Sequence, residues 1–81
     1  MLPLKSKDIK ISTGGPLIAI LNQIDAKRLD LQALDRIKIS YGNTSLIVAV
    51  DISESSESIQ PGKIGLFKEV IEKLEIKKKL N

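Results

Sequence analysis

Apolar residues in this chain come in short alternating or continuous stretches, each closed by Gly, Pro, Asn or Ser, a pattern of strands and turns. Ile9 and Ile11, followed by Ser12-Thr13-Gly14-Gly15-Pro16, read as a short strand ending in a turn. Leu17–Leu21 is a second strand, and its near lack of alternation predicts burial on both faces. Arg36–Ser40 alternates cleanly, with Ile37 and Ile39 on one side. Tyr41-Gly42-Asn43 is a turn and Thr44–Ile52 the next strand. Ser53–Ser58 is a polar loop that Gln60-Pro61-Gly62 closes, and Lys63–Leu66 is a last strand fragment. The rich supply of Ile, Leu and Val favours pleated, half-buried surfaces.

Two helices interrupt the strands. Asn22 is placed to cap the first by accepting from the amides of Gln23, Ile24 or Asp25, and Asp25 sits where a capping-box acid belongs. This helix runs to about Leu29, with Ala26 and Leu29 facing inward. The second starts near Phe67 and continues through Leu74. Phe67, Val70, Ile71 and Leu74 form its i, i+3, i+4, i+7 stripe, while Glu69 and Lys73 form an i,i+4 pair on the wet face. The expected core is Ile37, Ile39, Ile47 or Val48, Val50, Leu29 and Leu74.

An internal repeat ties the two helices together. At an offset of 45 positions Leu21 falls on Leu66, Leu29 on Leu74, Asp30 on Glu75 and Leu31 on Ile76. Each copy reads strand, short helix, then Leu-acid-aliphatic. In the first copy the strand Arg36–Ser40 comes next; in the second, the equivalent of Arg36 is Asn81. The expectation is one domain over 1–81, mainly β with two short helices and a pseudo-two-fold repeat, half 1 at about 9–52 and half 2 at about 59–81. Its closing strand is expected to be missing. The edge so exposed is expected to recruit a second chain, unless Lys5–Ser12 supplies the missing staves from within.

Composition narrows the chemistry. Without Cys there is no disulfide or thiolate site, and without His the usual general base and commonest metal ligand are gone. The basic excess is +3, and it resides in Lys77, Lys78 and Lys79, a solvated run rather than a phosphate-binding face. Tyr41 and Phe67 are the only aromatics, so stacking platforms for single strands are missing. Leu46–Val50, among the longest apolar runs, is far too short to span a bilayer, and residues 1–8 lack a signal-peptide core. A cytoplasmic protein that binds neither specific nucleic acid nor membrane is expected. Thr13-Gly14-Gly15 is no phosphate loop, because Pro16 removes an amide donor where a Lys-Ser/Thr and a helix start are needed. Asp51, Glu54 and Glu57 lack EF-hand spacing. No catalytic, cofactor-binding or metal-ligating residue and no cofactor is assigned.

Asp25-Ala26-Lys27 with Leu34-Asp35-Arg36, and Pro61-Gly62-Lys63-Ile64-Gly65, together resemble the small N-terminal domain of archaeal AMP phosphorylases, also described as thymidine phosphorylase-like. The resemblance covers about residues 4–81. It implies a small double-psi β-barrel of the cradle-loop type, built from two interlocked halves. It differs at Asp30 and Glu75, where the family usually has a helix-ending Gly, so each helix end must reach left-handed geometry without one. The family's second Gly-Asp and closing strand are not found after Asn81. The implied parent is a glycosyltransferase of nucleotide salvage, which cleaves the N-glycosidic bond of nucleoside monophosphates with phosphate. Its catalytic residues lie in the domains that follow, so none is carried over. What remains is a non-catalytic accessory role in oligomerisation, with self-association or the remaining domains of the parent enzyme as partners. Two other resemblances imply different roles: a partner-binding N-domain like that of valosin-containing-protein AAA ATPases, and an AbrB-type DNA-binding protein, to which Gly62–Asn81 is similar.

Overall fold

The structure is a computed structural model that describes residues 3–76; the Lys77–Lys79 run and Asn81 lie outside them. Strands β1 (Lys5–Asp8), β2 (Ile18–Asn22), β3 (Arg36–Tyr41), β4 (Thr44–Ser53) and β5 (Lys63–Leu66) are joined by helices α1 (Gln23–Arg28) and α2 (Lys68–Leu74). The strands form one sheet in the order β1-β5-β2-β4-β3. β1 runs parallel to β5 and β2 to β4, whereas β2/β5 and β3/β4 are antiparallel. The sheet curls into a small incomplete barrel, mainly β with two short helices, as the sequence led us to expect.

Alternation selects the core face. Ala19 and Leu21 of β2, Val48 and Val50 of β4, and Ile64 and Leu66 of β5 all point inward, where Val70 and Leu74 of α2 meet them. Ile18 and Ile20, on the other face of β2, are only half-covered, so the strand is not buried on both sides. Of the expected core, Val48, Val50 and Leu74 are buried, and Ile37 and Ile39 are half-buried against it. Two members of that set are exposed instead. Ile47 is 54% exposed because Val48 takes the inward position, and a strand's neighbours face opposite ways. Leu29 is 40% exposed because α1 already stops at Arg28.

The first strand also moves. The sequence pointed to Ile9–Ile11, but the paired residues are Lys5–Asp8. Asp8 Oδ1 accepts from the Lys10 amide at 2.8 Å, and Lys10 adopts φ 64°, so the chain leaves extended geometry where the strand was expected. Ile11 instead accepts from the Lys68 amide at 2.9 Å, tying this segment to the start of α2.

Helices this short are unstable alone and depend on their ends. Asn22 Oδ1 accepts from the Ile24 amide at 2.9 Å, the cap the sequence indicated. At the other end Leu31 donates to Ala26 O at 2.8 Å and Asp30 to Lys27 O at 3.1 Å, a Schellman closure with Asp30 at φ 54°. Forty-five positions on, Ile76 donates to Ile71 O and Glu75 to Glu72 O, each at 3.2 Å, with Glu75 at φ 57°. The repeat is therefore written in hydrogen bonds as well as in residue types. In the first half Leu31, not Leu29, folds back over the core.

Candidate interaction site

The pseudo-two-fold passes through the β2/β5 pair. Ile20 lies opposite Gly65, its own equivalent, and the flanking pairs Ala19–Leu66 and Leu21–Ile64 exchange under the rotation. A Cβ at Gly65 would lie 2.6 Å from Ile59 Cδ1 and 2.9 Å from Ile9 Cδ1, so a side chain there would have to push those isoleucine tips aside. The same rotation relates β4 to β1. The Ala49 amide donates to Leu17 O at 2.9 Å, and the Lys5 amide to Gly62 O at 3.0 Å. Lys5–Asp8 thus supplies to the second half the stave that β4 supplies to the first; the counterpart of β3, which the internal alternative asked Lys5–Ser12 to provide, is not found among the described residues.

The correspondence ends at the sheet's margin. β4 is covered on its far side: the Val50 amide donates to Asp35 O and Val50 O accepts from Leu34, both at 2.8 Å, and β3 continues the ladder from Arg36. Ser6 stands where Val50 stands, and among the described residues β1 is the outermost strand. Its edge carries exposed Lys5, Ser6 and Lys7. Lys63 lies beside Lys5 across the β1/β5 ladder. Lys7 Nζ donates to Ser58 O at 2.5 Å.

Buried polar groups fix the long loop that leads into β5. Asn22, 1% exposed, donates from Nδ2 to Ile59 O at 2.8 Å, and Asp25, 2% exposed, accepts from the Gly62 amide through Oδ2 at 2.7 Å. Asp25 is not a capping-box acid: its carboxylate reaches across to the Pro61-Gly62 turn rather than back to Asn22. No buried side-chain polar atom among the described residues lacks a partner, which keeps these contacts from being a net cost.

Glu69 likewise departs from its expected pairing with Lys73. Its carboxylate accepts from the Ser12 hydroxyl, from the Thr13 amide at 3.0 Å and from the Gly14 amide at 3.0 Å. The Ser12 hydroxyl chiefly, then the Thr13 amide, hold its pKa down from the usual 4.5 to about 2. The Thr-Gly-Gly segment is therefore an anion-receiving turn filled by the protein's own carboxylate. Its Gly pair was visible in the sequence; its distant partner was not.

A groove of about 520 Å³ runs over the outer face beside Ile20, with Asp51 and Ile52 on one wall and Lys7 on the other. Asp51 Oδ1 accepts from the Ile52 amide, and Glu54 and Glu57 are exposed. Among the described residues no three His, Cys, Asp or Glu side chains gather to hold a metal ion, and no helix is long and apolar enough to cross a membrane.

No family model matches the chain. It is similar to two curated proteins, each named AMP phosphorylase. The one from Methanococcoides burtonii is 40% identical over 73 residues, 90% of this chain. The one from Methanosarcina mazei is 36% identical over 75 residues, 93% of this chain. The chain spans only 14% of the length of either relative. The resemblance read from Asp25-Ala26-Lys27 and Pro61–Gly65 is thereby supported over nearly the whole chain, as a small domain of a much larger enzyme would be.

Proposed function

We propose that this chain is a non-catalytic N-terminal accessory domain of an AMP phosphorylase acting in cytoplasmic nucleotide salvage, and that it helps to assemble the enzyme. The observation that carries this reading is the mismatch of coverage: two AMP phosphorylases match nine-tenths of the chain with about one-seventh of their own length. A segment of that size supplies one small core, whereas phosphorolysis needs a walled site for a nucleotide and a phosphate together. The remaining domains of such an enzyme would supply that site, and this domain a surface for subunit contact.

The purified 81-residue chain, incubated with AMP and inorganic phosphate, should release no adenine above a buffer blank. Grafted in place of the matching segment of the M. burtonii enzyme, it should preserve both activity and assembly size, and deletion of that segment should reduce the assembly. Adenine release by the chain alone, or an unchanged assembly after deletion, would refute the reading.

A further inference from the structure

The two halves fasten equivalent connections in opposite ways. Carried 45 positions along the repeat, the connection from β1 to β2 (residues 9–17) becomes the connection from β4 to β5 (residues 54–62). α1 and its cap hold residues 54–62 through buried groups: Asn22 Nδ2 donates to Ile59 O, Asp25 accepts from the Gly62 amide, and Ile59 is 3% exposed. α2 holds residues 9–17 at the surface instead. Ile11 is 58% exposed, and Lys10, Ser12, Gly14, Gly15 and Pro16 are exposed with it.

The contacts with α2 are reciprocal. Phe67, the residue that caps this helix, makes no side-chain hydrogen bond, so the first helical amides need acceptors from elsewhere. The Lys68 amide finds one in Ile11 O at 2.9 Å. In return the Ser12 hydroxyl and the Thr13 and Gly14 amides converge on the Glu69 carboxylate. The connection caps the helix, and the helix binds the connection. We propose that residues 10–16 form a latch bolted by Glu69: they open as one unit, releasing the Lys68 amide, while the barrel stays folded. Both ends of the latch are fixed, since the Ile9 amide donates to Leu66 O at 3.1 Å and Leu17 O accepts from Ala49. Between them the chain lies outside the sheet, with Lys10 at φ 64°, Gly14 at 83° and Gly15 at 138°. Opening therefore breaks no strand pairing, and it relieves the steric penalty of a left-handed Lys10. Val70, two residues beyond Lys68, remains in the core.

The proposal goes beyond the accessory reading and needs none of it, because the latch belongs to this chain whatever enzyme carries it. Amide exchange of the purified chain, followed by NMR in increasing sub-denaturing urea, tests it. The Thr13, Gly14 and Lys68 amides should exchange through an opening nearly insensitive to urea, whereas exchange at Val50 and at Gly62, the buried tie of the other half, should accelerate with urea as global unfolding does. Glu69→Gln keeps the side chain's length but loses its charge and one acceptor. It should speed exchange of all three latch amides by about tenfold relative to Val50. Lys68 is the deciding amide, because its own hydrogen bond to Ile11 does not involve the Glu69 side chain. Ser12→Ala, at an exposed position, should move the same three amides in the same direction by less, and it serves if Glu69→Gln does not fold. Urea dependence at Thr13 and Gly14 equal to that at Val50 would overturn the proposal, since the connection would then open only with the whole domain. Loss of protection at Thr13 and Gly14 with Lys68 unchanged would overturn it too, leaving separate hydrogen bonds and no latch.

Discussion

Leu29 and Leu74 occupy equivalent places in the repeat but unequal environments, so truncating each to Ala makes an internally controlled experiment. Leu74 is 3% exposed and belongs to the central cluster, whereas Leu29 is 40% exposed at the end of α1. Removing a buried Leu loses transfer energy and leaves a cavity, together about 2–5 kcal/mol. A Leu already this exposed loses only part of its transfer energy and leaves no enclosed void, so about 1 kcal/mol is expected. For a domain of this size total stability is about 4–12 kcal/mol. Leu74→Ala should therefore remove a large share of it and lower Tm by about 10 °C or more, while Leu29→Ala lowers it by about 5 °C. Urea unfolding followed by circular dichroism gives both values, with the m-value checking that each variant unfolds from a comparably folded state. Equal destabilisation by the two, or a larger loss from Leu29→Ala, would refute the assignment of α2 as the helix that seals the core.

Two further outcomes follow from particular side chains. The Glu69 carboxylate has a depressed pKa in the folded chain, so the stability it contributes is complete above its unfolded value near 4.5 and is lost as pH falls toward about 2; Glu69→Gln should lower stability at neutral pH and flatten the acid limb of a stability–pH curve in that window, and an unaltered acid limb would exclude the Ser12–Gly14 clasp. Glu75→Gly should raise stability by about 1 kcal/mol, because Glu75 sits at φ 57°, where glycine carries no steric penalty; a lower urea midpoint would contradict it.

What the sequence disclosed was what depends on local pattern. β2 to β5 follow from short apolar stretches bounded by turn residues, the Asn22 cap from side-chain chemistry, and the left-handed helix ends at Asp30 and Glu75 from the family resemblance. β1 escaped because Lys-Ser-Lys-Asp has no apolar alternation. It is extended because β5 offers a ladder, and its lysines suit an edge rather than a sheet interior. Asp25 fits a capping box locally, yet Gly62, 37 positions away, claims its carboxylate. The same holds for Glu69, whose partners lie 55 to 57 positions back along the chain. Local chemistry named the donor and acceptor types in these sites; only the fold chose between competing partners. Leu29 shows the converse limit, since a one-residue difference in where a helix stops decides which of two leucines is covered.

The interlocking of the halves also imposes an order on events as the chain is made. β3 and β4 are joined by a tight hairpin, with Tyr41 opposite Thr44, and can pair as soon as both have emerged. β1 is synthesised first, yet its partner β5 lies roughly sixty positions later, with Lys5 opposite Lys63. Closing that loop costs about 2–3 kcal/mol more than closing the hairpin. Among the described strands, β1 must therefore wait for β5, solvated by its own lysines while the hairpin and α1 consolidate. Its polar sequence, so uninformative about structure, is what allows a nascent chain to carry an unpaired strand through that interval without sticking to its neighbours.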